Sequence, residues 1–397
     1  MSVDRVALIS FHTCPLAAPG EGKTGGMNVY LNELSRRLGG MGIKVDMFTR
    51  CHGDHAEGVK ELGGGVRVMH LKGGPPEAPL DALYPHLPSF LAALRRFSQG
   101  VPAYEVVHSH YWLSGWIGRR VAETWGVPHV MTFHTLAKLK QQARAGEDES
   151  PVRVREEEEL MASAQLIVSS SSHERDAMAR LYAAPSERIH VIACGVDLSL
   201  FRPLDNRDVR KRLGLNGENV VVSVGRMEPI KGLELLLRSA AIMESRDSLK
   251  VLVIGGDTAN GGEMARLRDL AQDLGIGEVT DFVGIVDHSL LPLYYNAADV
   301  CVVPSYYESF GLVALEALAC GTPVVASRVG GLSTVVEHGR TGYLVPWRCP
   351  EPFADSVQAI LSSRALRKSM SVAARQRAEG MGWDLVARET FRLYNSL

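Results

Sequence analysis

Glu308 and Glu316 stand eight residues apart in the stretch PSYYESFGLVALEALACGTP, residues 304 to 323, and form the pair best placed to do chemistry. Val300–Val303 has the length and composition of a buried strand, 305 to 309 those of a loop, and Phe310–Cys320 those of a helix closed by Gly321 and Pro323. Glu308 then sits at the mouth of the helix and Glu316 more than a turn inside. With a rise of about 1.5 Å per residue, the two carboxylates can address groups on the order of 10 Å apart, about the separation of a sugar and a ribose across a diphosphate. The competing reading is a capping carboxylate followed by a core carboxylate paired within the protein. Left unpaired among Leu312, Val313, Leu315, Ala317 and Leu318, Glu316 is costly unless a ligand binds it.

A diphosphate needs cations, and Val220–Val224 runs straight into GRMEPIKG, which puts Arg226 and Lys231 at the carboxyl end of a strand. Arginine offers a planar bidentate fork and lysine a point charge, and both suit the charge that grows on a departing phosphate. Either alone also fits an ordinary surface cation. Nearer the N-terminus, the loop HTCPLAAPGEGKTGG joins a strand at Val6–Phe11 to a helix at Met27–Leu38. Its GEGKT segment is an incomplete phosphate-binding loop, since Ala17 stands where glycine is needed and Pro19 lies inside. Gly25 and Gly26 are better candidates, because residues without side chains ahead of a helix let backbone N–H groups approach a phosphate or sugar; a tight turn explains them too. His108, His110 and His134 follow strand-like runs, where open parallel sheets place their crevices, and taken singly each also fits core or surface.

These residues need elements to hold them. A chain of 397 residues is long for one core and predicts two domains, placed at 1–198 and 199–382. Further strands are expected at Lys44–Thr49, Val66–Leu71, Val106–Ser109, His129–Phe133 and Leu166–Ser169, then at Lys250–Ile254, Thr280–Val283, Pro323–Ser327 and Gly342–Val345. Helical spacing fills most of the intervals. The fold class is therefore α/β, with two Rossmann-like parallel-sheet domains facing each other across a cleft. Gly73–Pro88 is expected to be a surface loop, the acidic run 156 to 159 the solvated first turn of a helix, Ser199–Asp208 a linker, and Trp383–Tyr394 a terminal helix.

Composition sets limits on function. With 43 basic and 45 acidic residues the formal net charge is −2, which argues against broad binding to nucleic acid or an anionic membrane. Apolar content of 46% and charged content of 22% are those of an ordinary globular protein. Six cysteines without a C-x-x-C pair predict reduced thiols in a cytosolic setting, with neither a disulfide frame nor a metal site. The sequence shows no leader-like start and no uninterrupted apolar run of about 18 residues, so neither secretion nor a membrane span is expected.

GGMNVY at 25–30, HSHYWLSG at 108–115, TFHTLAK at 132–138, GRMEPIKG at 225–232 and ESFGLVALEALACGTPVVASRVGGL at 308–332 resemble the family 4 retaining glycosyltransferases of the GT-B fold. The resemblance covers essentially the whole chain. Motifs of the first half are most similar to the enzymes that join N-acetylglucosamine to inositol 3-phosphate in mycothiol synthesis, and next to sucrose-phosphate synthases. The resemblance implies that Arg226 and Lys231 hold the diphosphate of a nucleotide sugar, UDP-N-acetylglucosamine or UDP-glucose, and that Glu316 holds its ribose. Glu308 and the backbone of Ser309, Phe310, Gly311 and Leu312 would meet the donor sugar, with His134 near the reacting centre and the Gly25-Gly26 loop closing over the phosphates. Asn28, Tyr111, Thr135 and one of the pair Arg153 and Arg155 are implied at the acceptor. Helix 383–397 is implied to return to the first domain. Small-molecule donor and acceptor, with a homodimer as an open option, complete the expected partners.

No Asp-x-Asp occurs in the sequence, so the usual carboxylate pair for a metal-bound nucleotide sugar is missing, and no metal and no further cofactor are expected. The resemblance implies retention by attack on the face the nucleotide leaves, with the departing phosphate taking the acceptor's proton. Lys23 and Asp81 depart from the inositol-phosphate pattern, which has an acidic residue near the first and a lysine near the second. Rival readings are a sugar-nucleotide epimerase of the same fold, a non-catalytic binder of sugar nucleotides, and a dinucleotide oxidoreductase; the last lacks a G-x-G-x-x-G after any strand.

Overall fold

The computed structural model describes residues 3–17, 25–51, 56–101, 103–143, 148–244, 248–256 and 262–397. The GEGKT segment, Lys23 included, lies outside them. The described residues up to Ala193 form one compact unit together with Trp383–Leu397, and Cys194–Gly382 form another.

In the first unit, short runs of branched apolar residues become strands β1 (Arg5–Ile9), β2 (Lys44–Arg50), β3 (Gly58–Gly63), β4 (Val66–Leu71), β5 (Val106–His110), β6 (His129–Thr132), β7 (Leu166–Ser169) and β8 (Ile189–Val191). They lie in the order β3-β4-β2-β1-β5-β6-β7-β8. Neighbours are parallel except β3, which runs antiparallel to β4. The inner strands are buried on both faces, as a sheet covered by helices requires. β3 and β8 have no counterpart in the sequence reading. The first is an exposed edge strand, GVKELG, with glycine at both ends and charge between, and the second has only three residues.

The second unit repeats the construction with β9 (Asn219–Val224), β10 (Leu249–Ile254), β11 (Thr280–Gly284), β12 (Val300–Val303), β13 (Val324–Ser327) and β14 (Gly342–Val345), all parallel, in the order β11-β10-β9-β12-β13-β14. Val221, Val251, Val253 and Val302 of the sheet pack with Leu236, Leu267, Phe353 and Ile360 of the covering helices.

Several expectations are corrected. The loop expected over Gly73–Pro88 ends early, because the helix Leu87–Ser98 already begins at Leu87, with proline in its first turn where no N–H is needed. The linker ends at Asp205, whose carboxylate caps the helix Asn206–Arg212 by accepting from the N–H groups of Arg207 and Asp208. The acidic run lies in the middle of the helix Pro151–Ser163, with Glu156 and Glu157 buried, so it is no solvated first turn. The helix expected at Phe310–Cys320 spans Leu312–Ala319.

The helix Trp383–Tyr394 belongs to the first unit. Its Trp383 ring lies edge-on to Tyr30 at 5.6 Å, and the Tyr394 hydroxyl is 2.6 Å from Nδ1 of His108. No described helix is long and apolar enough to cross a membrane.

Candidate active site

In the second unit the strand order reverses between β9 and β12, and an open parallel sheet forms its crevice outside the carboxyl ends of such a pair. The loop after β9 carries Arg226 and Lys231, and the loop after β12 carries Glu308. Two glycines allow close backbone approach here, one between these two loops and the other from the loop after β13 onto Glu308. Gly232, at φ 67°, ends the turn Pro229–Lys231, and a Cβ there would lie 2.1 Å from the Pro304 carbonyl oxygen. Gly330, at φ 50°, would put a Cβ 1.8 Å from the Glu308 carbonyl oxygen. The closeness brings Lys231 Nζ within 2.8 Å of Glu308 Oε2. Arg226 Nη1 lies 3.0 Å from Glu228 Oε1. Gly311, at φ 102°, precedes Leu312 at the start of the helix; Phe310 is buried, and Ser309 Oγ lies 3.1 Å from the Tyr307 hydroxyl.

Glu316 is 6% exposed and does not stand unpaired. Its Oε2 accepts from the Tyr295 hydroxyl at 3.0 Å, and its Oε1 lies 2.8 Å from His288 Nε2. For Glu316 this is the carboxylate paired within the protein that the competing reading expects. A carboxylate has about four lone-pair sites, so capacity remains for further donors. Neither His288 nor Tyr295 was singled out from the sequence, because nothing in their spacing from Glu316 marks them.

In the first unit the order reverses between β1 and β5. His110 ends β5, and Tyr111 follows with φ 76°; His134 lies two residues beyond β6 with φ 61°. Left-handed backbone at residues other than glycine is strained and concentrates at functional sites. Nδ1 of His110 lies 2.9 Å from Nε2 of His134, and the His108 and His110 rings are 4.2 Å apart. Nε2 of His108 is 2.8 Å from Thr132 Oγ1. Burial pushes the histidines down, His108 and His110 well below their ordinary value and His134 to about 3, so the cluster is neutral near pH 7. Gly25 caps the helix Gly26–Gly40 in extended backbone, with open space where a side chain would be, and Gly26 is exposed. Asn28 is buried, with its amide donating to Thr13 Oγ1 at 3.0 Å and to the Cys14 carbonyl at 2.5 Å.

Thr135, Tyr111 and Arg153 come together. Nη2 of Arg153 donates to the Thr135 carbonyl and hydroxyl oxygens, each at 3.0 Å, and its guanidinium lies over the Tyr111 ring at 5.0 Å. Arg155 is not part of this group; its side chain is 60% exposed, and its head is 3.8 Å from Glu156. Glu149 and Glu157, one turn before and one turn after, hold Arg153 at 2.8 Å and 2.7 Å. Glu157 also accepts from the Tyr182 hydroxyl and the Ala137 N–H. Burial raises the Glu157 carboxyl above its ordinary value against the pull of Arg153. At Glu149 burial also pushes upward, but Arg153 and Lys140 outweigh it and leave the carboxyl low. Sequence reasoning missed both glutamates, although the four-residue spacing of 149, 153 and 157 was there to find.

Residues 205–377 match the profile of glycosyl transferases group 1, and residues 24–200 that of glycosyltransferase family 4. The D-inositol 3-phosphate glycosyltransferase of Kribbella flavida is 44% identical over 99% of this chain and 95% of its own length. The chain belongs to the family 4 glycosyltransferases. That of Geodermatophilus obscurus, which carries the same name, is 45% identical over 96% of this glycosyltransferase and 86% of its own length. Among solved structures, the sucrose-phosphate synthase of Thermosynechococcus elongatus superposes with a TM-score of 0.92 at 35% identity, covering 99% of this chain and 98% of that one. The two parallel-sheet α/β units are those of the GT-B fold.

Proposed function

We propose that this glycosyltransferase moves a sugar from a UDP-linked donor, with retention at the anomeric carbon and without a metal, to a hydroxyl of a small phosphorylated polyol or sugar. The observation that carries the acceptor assignment is the convergence of Tyr111, Thr135 and Arg153 at the carboxyl ends of β5 and β6. The names of the relatives agree with it, since those of the inositol 3-phosphate and sucrose-phosphate enzymes both speak of a phosphorylated sugar or polyol.

Arg153 has five N–H groups. One goes to Glu157, one to Glu149 and two to Thr135, which leaves one on Nη1 for a phosphate oxygen. Thr135 accepts from Arg153 through Oγ1, so its own O–H is left to donate elsewhere. Asp81 lies exposed on the turn Leu80–Ala82, where solvent screens its charge.

On the donor side Arg226 and Lys231 neutralise the leaving diphosphate, Glu316 accepts from the ribose hydroxyls, and Glu308 with the backbone from Ser309 to Leu312 holds the sugar. The Gly25-Gly26 loop offers the Gly26 N–H to phosphate, while the Gly25 N–H donates to Asn28 Oδ1. His134 stands near the reacting centre as a neutral group, since burial keeps its imidazole uncharged until about pH 3. Retention follows if the acceptor attacks the face the diphosphate leaves and gives its proton to that phosphate. Activity that persists in EDTA is expected.

Arg153→Ala tests the acceptor site. It should raise KM for a phosphorylated acceptor about tenfold or more and leave KM for the same acceptor without phosphate unchanged, whereas Arg155→Ala should change neither. Equal effects of Arg153→Ala on both acceptors would remove the phosphate assignment.

A further inference from the structure

His110 is fully buried, and its two ring nitrogens are in different situations. Nδ1 faces His134 Nε2 at 2.9 Å, while Nε2 is enclosed without a hydrogen-bond partner among the described residues. A neutral imidazole has one N–H and one lone pair to distribute. A buried N–H without an acceptor is among the rarest defects in folded proteins, and an enclosed lone pair is tolerated better. The proton of His110 therefore belongs on Nδ1, and Nδ1–H must donate to His134 Nε2.

A consequence follows for the neighbour. With its Nε2 lone pair occupied, His134 carries its own proton on Nδ1 and has no lone pair left to accept one from a substrate. We propose that His110 is a positioning residue that fixes His134 as the Nδ1-protonated tautomer, so that His134 serves the transfer reaction as a hydrogen-bond donor and not as a general base. The inference rests on the placement of His134 near the reacting centre. Surrounding contacts hold the arrangement in place: the His108 ring lies 4.2 Å from that of His110, Tyr394 and Thr132 fix His108 from either side, and the Tyr30 ring stands edge-on to His134 at 5.2 Å. A neutral donor suits a reaction in which the departing phosphate collects the proton. Burial, which pushes both imidazoles far below their ordinary value, removes the imidazolium as an alternative.

The test combines a spectrum with kinetics on the full chain. Long-range proton–nitrogen spectra of protein labelled with 15N-histidine distinguish the two tautomers, and the resonances lost in His134→Asn and in His110→Asn identify the two rings. Both rings are expected to be protonated at Nδ1; an Nε2-protonated His134 overturns the inference. His110→Asn keeps an N–H where Nδ1 stood and should hold kcat within about threefold, whereas His110→Leu should lower kcat on the order of tenfold to a hundredfold with both KM values nearly unchanged. Loss of kcat in His110→Asn as severe as in His110→Leu, with both variants folded by circular dichroism, also overturns it. His134→Asn separates the two claims: if kcat is unchanged there, the placement at the reacting centre fails even where the tautomer is as proposed, and if kcat collapses while the spectrum shows Nε2–H, the placement stands and the role of His110 falls.

Discussion

Each cation on the donor side has a carboxylate for company, Arg226 with Glu228 and Lys231 with Glu308, and each pair is partly open to solvent. Pairs so exposed add little to stability, about 0 to 1 kcal/mol, so their value lies in fixing where the charged heads stand. On the proposed reading, that charge matters most as the bond to the sugar breaks. Arg226→Ala and Lys231→Ala should therefore each lower kcat on the order of a hundredfold with little change in melting temperature, measured by initial rates at saturating donor and acceptor. A change confined to KM would show that they hold only the ground state. These two residues were legible in the sequence because a strand ran directly into them. Glu157 was not, since four glutamates in a row look like a solvated helix face, and only the Arg153 guanidinium, the Tyr182 hydroxyl and the Ala137 N–H reveal the second of them as a buried hub.

At the scale of elements, apolar runs between breakers marked the inner strands well. Val66–Leu71, Leu166–Ser169, Val300–Val303 and Gly342–Val345 are found with the bounds the sequence predicts, because most of their residues are buried, although Arg67 and His70 interrupt the first run and the last strand is at a sheet edge. The edge strand β3 needs no such run and escaped notice. What no run of residues could show is that β5 and β6 bring four histidines together. His108, His110, His129 and His134 are all held neutral by burial, with His129 and His134 pushed down to about 3. Their folded values lie below the unfolded value of about 6.5, so the stabilisation they represent is fully present above that pH and is lost as pH falls toward the folded values. Between pH 6.5 and 5 the first unit should lose up to about 1.4 kcal/mol per pH unit for each such histidine. Urea unfolding at pH 7, 6 and 5 checks this, and a midpoint that does not move over that range would contradict a buried neutral cluster.

Over the whole molecule, two sheets of similar construction each reverse strand order once, and the residues singled out for chemistry gather beside those reversals: His110, Tyr111 and the loop after β1 in one unit, Arg226, Lys231 and Glu308 in the other. Membership of family 4 says that a sugar is transferred; the identity of the partners in that transfer is where the proposal carries its risk. The most direct measurement is to incubate the protein, in EDTA, with UDP-, ADP- and GDP-linked glucose and N-acetylglucosamine against a phosphorylated polyol or sugar and its unphosphorylated counterpart, following products by mass spectrometry and the new anomeric centre by its proton coupling. The account predicts a retained glycoside from a UDP-linked donor, formed on the phosphorylated acceptor in preference to the free one. An inverted product, a strict need for added metal, or transfer only to the unphosphorylated acceptor would contradict it.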